Sequence, residues 1–171
     1  MTASELVAVA AIKEGKYALA FPEFGAERRG APVRAYTRIT AETTLIPRTP
    51  VLEPDIVVVL DSGLLGLPDV LQGIKKEGLL LVNTKAKPSE LRARLGCSSD
   101  IRVATVDATG IALETIRAPI VNTAILGALV RASNVVRLEN IIEAVKERFP
   151  GRVGEVNVEA VKKAYEKVEV G

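Results

Sequence analysis

Ile56-Val57-Val58-Val59-Leu60, Leu79-Leu80-Leu81-Val82 and Ile101-Arg102-Val103-Ala104-Thr105-Val106 are three short runs rich in branched apolar residues. Their length and composition are those of strands buried on both faces. Between them lie two segments compatible with helices, Pro68 to Lys76 and Pro88 to Leu95. Each opens on a proline, whose missing N–H is no loss in a first helical turn. Strand and helix therefore alternate, and the expected fold class is α/β: a layered fold with a mainly parallel central sheet flanked by helices.

Upstream of this centre, Thr2-Ala3-Ser4-Glu5 has the spacing of a capping box, and Leu6, Val7, Ala10 and Ala11 follow at helical intervals. Gly15 is the expected stop of that helix, and Tyr17 to Phe21 a short strand. From Val33 to Ile39 the residues alternate, with Val33, Ala35, Thr37 and Ile39 on one side and Arg34, Tyr36 and Arg38 on the other, as in a half-exposed strand. Pro47, Pro50 and Pro54 punctuate an extended connector that ends at Asp55. Downstream, the last third reads as helical: Ala108 to Ile116, Thr123 to Ala132 behind an Asn122 cap, Leu138 to Phe149, and Val156 to Val168, broken strongly only at Pro150-Gly151. No repeat or linker divides the chain, so residues 1–171 are expected to form a single domain.

Composition narrows the chemistry. The 23 basic and 21 acidic side chains leave a formal charge of +2, too even a mixture for a surface that tracks phosphates, so nucleic acid is not an expected partner. No run approaches the length of a membrane span, and the start carries no basic, apolar leader, so a cytoplasmic protein is expected. Histidine is absent and Cys97 is the single cysteine, which excludes an internal disulfide, Ser-His and Cys-His nucleophile pairs, most zinc sites and a four-thiolate iron–sulfur cluster. Few Cys and Met with abundant Glu, Lys and Arg suit a thermophile.

The densest stretch is Phe21-Pro22-Glu23-Phe24-Gly25-Ala26-Glu27-Arg28-Arg29-Gly30-Ala31-Pro32, four charges set between two glycines and two prolines at the turn of two expected strands. Gly25 and Gly30 open backbone conformations closed to other residues while Pro22 and Pro32 stiffen the ends. Guanidinium groups held this way grip a phosphate or a carboxylate in bidentate fashion. A solvated loop with local ion pairs is the competing reading.

This loop resembles that of the gamma subunit, or gamma domain, of the 2-oxoacid:ferredoxin oxidoreductases, especially the pyruvate and branched-chain 2-oxoacid members. Gly15-Lys16-Tyr17 ahead of it, then Glu53-Pro54-Asp55-Ile56-Val57-Val58-Val59-Leu60-Asp61, Leu81-Val82-Asn83-Thr84, Asp107-Ala108-Thr109-Gly110-Ile111-Ala112, and Asn122-Thr123 with Leu126-Gly127-Ala128-Leu129 look like further family blocks in the family order. The resemblance also implies a first strand and a turn of the Gly-x-Gly-Gly-Gln-Gly kind ahead of Thr2. This sequence has neither, and the expectation is a chain shortened at its start.

The resemblance implies membership in an enzyme that oxidatively decarboxylates a 2-oxoacid, pyruvate before others, to an acyl-CoA, carbon dioxide and reduced ferredoxin. It places thiamine diphosphate, Mg2+ and 4Fe-4S clusters on partner subunits (alpha, beta and delta) and gives this chain a contact with coenzyme A and no catalytic residue of its own. Within the loop, Arg28 and Arg29 are the expected contacts, to a CoA phosphate or to a partner's carboxylate, with Glu23 and Glu27 orienting them. Asn122 and Thr123 at a helix start are further cofactor-binding candidates, beside the plainer reading of an N-cap. Asp61-Ser62-Gly63, Asn83-Thr84-Lys85 and Asp107 follow the three apolar strands, at the edge where α/β folds gather ligand-binding loops. No metal site is expected, and the isolated chain is expected to be inactive and to be able to form a homodimer through the face its partners leave open. The competing classes are a free-standing α/β enzyme for CoA or a nucleotide, for which the usual glycine-rich phosphate loops are missing, and a purely structural assembly subunit.

Overall fold

The computed structural model describes residues 2–23 and 33–171. Helix α1 (Thr2–Lys13) leads into strands β1 (Tyr17–Pro22) and β2 (Ala35–Thr40). After the connector come β3 (Ile56–Val59), a 3-10 turn at Ser62–Gly66, β4 (Leu79–Asn83), α2 (Pro88–Leu95) and β5 (Arg102–Val106). Helices α3 (Ala108–Thr115), α4 (Val121–Ser133), α5 (Leu138–Arg148) and α6 (Arg152–Lys167) follow, and β6 (Glu169–Val170) ends the order.

Strands β3, β4 and β5 lie side by side and parallel, as the three apolar runs require. The period of two divides their side chains cleanly. Leu79, Leu81, Ala104 and Val106 face a large core shared with α1, α3, α4, α5 and α6, while Val59, Leu80, Val82 and Val103 face a smaller one with Leu91 of α2. One feature departs from the expectation of a helical last third. Glu169–Val170 returns antiparallel to the outer edge of β5. Strands β1 and β2 form a separate antiparallel pair. Alternation puts Ala18, Ala20, Ala35, Thr37 and Ile39 on the face toward α1, where Ala18 and Ile39 pack on the larger core and Thr37 Oγ1 donates to Ser4 O at 3.0 Å.

The helix expected over Pro68 to Lys76 is absent: this stretch is a series of turns. Gly73 takes a left-handed conformation (φ +77°) with its Cα against the carbonyl of Leu52, which stops helical propagation, and Val70, Leu71 and Ile74 instead lie on the smaller core. The Asn122 cap is also corrected. Helix α4 begins two residues earlier, at Val121 behind Ile120, so Asn122 sits inside its first turn. Eight consecutive residues, Thr123 to Val130, are buried, and a helix covered on all sides has no polar stripe from which to read its start.

Helices α4 and α6 run side by side in the same direction. Thr123 meets Asn157 through a hydrogen bond between the Thr hydroxyl and the Asn side-chain oxygen. One turn on, Gly127 lies against the backbone of Val161, and one turn further the Arg131 guanidinium sits 5.5 Å above the Tyr165 ring. Each contact advances both helices by four residues, which is the register of parallel ridges.

Glu14 locks the end of α1 to the connection between α4 and α5. Its carboxylate takes a 2.8 Å bond from Lys16 Nζ, a 3.1 Å bond from Asn140 Nδ2 and another from the Arg137 backbone N–H. Burial works against ionisation of Glu14, but these three donors outweigh it and lower the carboxyl from an ordinary 4.5 to about 2. An unfolded chain titrates this group near 4.5, so the interaction stabilises the fold fully above that pH and fades as pH falls from there to about 2. Glu14→Gln is expected to lower the unfolding free energy at pH 7 by about 1–2 kcal/mol and to cost far less near pH 2. Denaturant titrations of both proteins at pH 7 and pH 2.5 test this; a difference independent of pH would refute the charge-based account.

Candidate functional site

Two regions inherit the residues singled out by sequence. The first is the stem of the β1–β2 hairpin. Glu27, Arg28 and Arg29 lie outside the described residues, as do the two glycines of the loop. Glu23 is the last described residue before them, and its surroundings are specific. Its backbone N–H donates to Arg34 O at 3.0 Å, and Tyr36 Oη donates to Glu23 Oε2 at 2.8 Å. Arg34 stands 3.9 Å from the same carboxylate and 3.5 Å from Asp69. Burial, and then the Glu23 carboxylate that accepts its proton, push the Tyr36 phenol up from its ordinary value. The Tyr36 ring also lies 5.5 Å from its cross-strand partner Phe21, which is buried. The described partners of the Glu23 carboxylate are thus Tyr36 and Arg34, which brace the stem.

The second region is the carboxyl edge of the parallel strands. After β4 the chain crosses to α2 on the smaller-core face, whereas after β5 it crosses to α3 on the larger-core face. Neighbouring strands whose connections part to opposite faces leave a crevice between them, the usual ligand position of an open α/β sheet. A cavity of about 430 Å³ lies there, lined by Thr84, Lys85, Asp107, Glu114, Lys167 and Glu169 among others. Asp107 both lines this cavity and caps the helix that follows. Its Oδ1 caps α3 by accepting from Gly110 N at 2.8 Å, and its Oδ2 is 3.8 Å from Lys85 Nζ at the cavity.

Asn83 ties this edge together. It is buried, and its amide donates to Leu60 O and to Thr109 Oγ1, both at 2.9 Å, while its oxygen accepts from Thr109 N at 3.2 Å. One side chain thereby joins the ends of β3 and β4 to the first turn of α3. Asp61 stays apart, its Oδ1 accepting from Gly63 N at 2.9 Å to cap the 3-10 turn.

The other candidates are not brought to either region. Thr123 is turned into the α4–α6 contact, and Asn122 precedes it in the same turn, away from the crevice lining. Cys97 is partly buried, and burial pushes its thiol up, against a smaller opposing pull from Arg92, so it has little thiolate character. Sequence reasoning missed Glu114, Lys167 and Glu169 of the crevice, because only the antiparallel return of β6 brings the last two beside Thr105. Among the described residues no three His, Cys, Asp or Glu are grouped to hold a metal, and no helix is long and apolar enough to cross a membrane.

The comparisons with known proteins cover nearly the whole chain. A family model described as pyruvate ferredoxin/flavodoxin oxidoreductase matches residues 1–167. The pyruvate/ketoisovalerate oxidoreductases common subunit gamma of Pyrococcus furiosus is 50% identical over 170 residues, 99% of this chain and 91% of that protein. The pyruvate synthase subunit PorC of Methanothermobacter thermautotrophicus is 47% identical over 169 residues, 99% of this chain and 89% of that one. The crystal structure of pyruvate oxidoreductase subunit PORC from Thermotoga maritima matches with a TM-score of 0.85 at 41% identity, over 99% of this chain and 89% of that one. A 2-oxoglutarate:ferredoxin oxidoreductase from Magnetococcus marinus shares the fold, with a TM-score of 0.72 at 18% identity over 97% of this chain, and there the matching part is 28% of a longer polypeptide.

Proposed function

Because the chain belongs to the pyruvate ferredoxin/flavodoxin oxidoreductase family, as the gamma subunit of a 2-oxoacid oxidoreductase, we propose that it completes the active-site region of an enzyme converting pyruvate, CoA and oxidised ferredoxin to acetyl-CoA, carbon dioxide and reduced ferredoxin. The observation that carries this is the full-length match joined to the residue inventory: no histidine and one cysteine. Thiamine diphosphate supplies carbanion stabilisation in such chemistry and iron–sulfur clusters take up electrons. The residues present do not fit these groups, since one thiol cannot ligate a cluster and the described residues offer no metal-ligating set. The reading therefore assigns the diphosphate, its Mg2+ and the 4Fe-4S clusters to the alpha, beta and delta partners.

This chain's share is the cationic hairpin. Its stem is braced by Glu23, Arg34, Tyr36 and Asp69, and Arg28 and Arg29 at its turn are proposed to hold a CoA phosphate. CoA among the bound molecules of the Magnetococcus marinus enzyme, which shares this fold, agrees with the reading. Affinity capture of the chain from its own cell extract tests the assembly: thiamine-diphosphate and ferredoxin-like subunits are expected with it, and recovery as a lone monomer would overturn the assignment. In the assembled enzyme, Arg28→Ala is expected to weaken CoA by about 1.5–3 kcal/mol, or about 10- to 150-fold in KM for CoA, the range of one charge-assisted hydrogen bond. An unchanged CoA dependence with loss of co-purification would instead make the arginines a contact to a partner's carboxylate.

A further inference from the structure

We propose that the crevice at the carboxyl edge of β4 and β5 is a binding site for a free α-amino acid with a small apolar side chain. The first observation is a hydroxyl without a partner. Five polar side chains are buried among the described residues, and Asn83, Thr115, Thr123 and Asn157 each enter a hydrogen bond. Thr105 is 3% exposed, and its hydroxyl enters none among the described residues. It lines the crevice, and β6 pairs with β5 only at Ala104 and Thr105, so the strand edge is uncovered beyond it. A buried hydroxyl ordinarily has a partner, and the cavity is where one can enter.

The second observation is a set of charges held apart. Elsewhere on the surface Lys13–Glu147, Lys75–Asp55 and Lys163–Glu114 close to 2.7, 2.8 and 2.8 Å. At the crevice Lys85 Nζ stops 3.8 Å from Asp107 Oδ2, and Lys167 Nζ stops 4.0 Å from Glu114 Oε2. Neither separation is a hydrogen bond, so both ammonium groups keep donors and both carboxylates keep lone pairs for a guest. With Glu169 the lining carries two positive and three negative charges. That excess repels a dianion such as phosphate, and a simple cation leaves the two lysines unanswered, whereas a zwitterion meets both signs.

The ligand's carboxylate accepts from Lys85 and from the Thr105 hydroxyl. Its ammonium donates to Asp107 Oδ2, the other oxygen of that side chain being spent on the cap of α3. The volume of about 430 Å³ lies at the small end of the range for organic ligands, and Val106 and Ile111 give the cavity an apolar wall. An apolar α-amino acid has the carbon skeleton of an aliphatic 2-oxoacid with an amino group in place of the oxo oxygen, which ties the ligand's class to the enzyme's substrates. This tie rests on the oxidoreductase reading; the site does not.

Titration of the full, isotope-labelled chain with L-valine, followed by amide NMR, tests the site. Saturable shifts are expected, concentrated in residues 84–86, 105–111 and 167–169. Isovalerate keeps only the carboxylate and isobutylamine only the ammonium, and each is expected to bind about tenfold or more weaker than valine. Thr105→Val is expected to weaken valine about threefold or more, Lys85→Gln about tenfold or more, and Thr105→Ser to restore the affinity to within about twofold of wild type. Lys85 is exposed on a loop, so its variant reads the site even if the β5 substitution disturbs folding. Absence of saturable shifts overturns the proposal, as does valine binding that neither Thr105→Val nor Lys85→Gln weakens. Equal affinity for isovalerate or isobutylamine overturns the zwitterion as the ligand class. Because the titration uses this chain alone, its outcome is separate from whether oxidoreductase subunits co-purify with it.

Discussion

Gly127→Ala is expected to lower the unfolding free energy by about 3 kcal/mol or more, although alanine is the better helix former by about 1 kcal/mol. A β-carbon at this position would stand 1.8 Å from Val161 O and 2.9 Å from Tyr165 N. Both are backbone atoms of α6, held by that helix's own hydrogen bonds, so neither can rotate aside as a flexible side chain would. Relief requires separating α4 from α6, which in turn opens the packing of Ile125, Leu126, Val158 and Ala164 in the larger core. It also strains the buried Thr123–Asn157 bond one turn away. Guanidinium titration monitored by circular dichroism checks the prediction. A midpoint equal to or above wild type would mean that the two helices do not touch at Gly127.

The second large effect is at Asn83. Asn83→Ala removes two donated bonds and one accepted bond and strands the Leu60 carbonyl and the Thr109 N–H in a half-buried setting. Unsatisfied groups of this kind cost about 1–3 kcal/mol each, and with partial access of water the sum is expected near 3 kcal/mol. Thr109→Val removes only the hydroxyl's share and is expected to cost about 1 kcal/mol. The two variants therefore separate a general loss of packing from loss of the bracing amide. Equal effects would argue against Asn83 as the tie. Amide exchange at Asp107 to Ile111 is expected to rise in Asn83→Ala, because the first turn of α3 is no longer anchored to the strand ends.

These two residues show what a sequence does and does not disclose. The parallel strands were legible because burial on both faces demands unbroken apolar runs, and Leu79 to Val82 are fully buried as such a run predicts. Pro88 to Leu95 was legible from its proline start, and Gly96, which takes the left-handed cap conformation, ends it. Pro68 to Lys76 carries similar signals and is not a helix, because its apolar residues serve turns laid on the sheet and Gly73 is set by the distant Leu52. The edge strand Glu169–Val170 is too short for any periodicity. At the crevice, Lys85 and Asp107 could be named because they directly follow strands, and Glu114, Lys167 and Glu169 could not, because their proximity is a product of topology. Thr123 was read with Asn122 as an anion-binding candidate at a helix start, because its actual partner Asn157 lies 34 positions away. The family blocks pointed to the correct protein class where local patterns alone left three classes open.

The pairing of α4 with α6 also dictates when the molecule can be finished. Helix α6 packs on α3, α4 and α5, and it leaves the ribosome after all of them. Until it emerges, the Gly127 face of α4 is a naked groove, and the nascent polypeptide is a target for chaperones and proteases. A copy whose translation stops short of α6 would keep that groove open, so the last helix is the piece that closes the larger core.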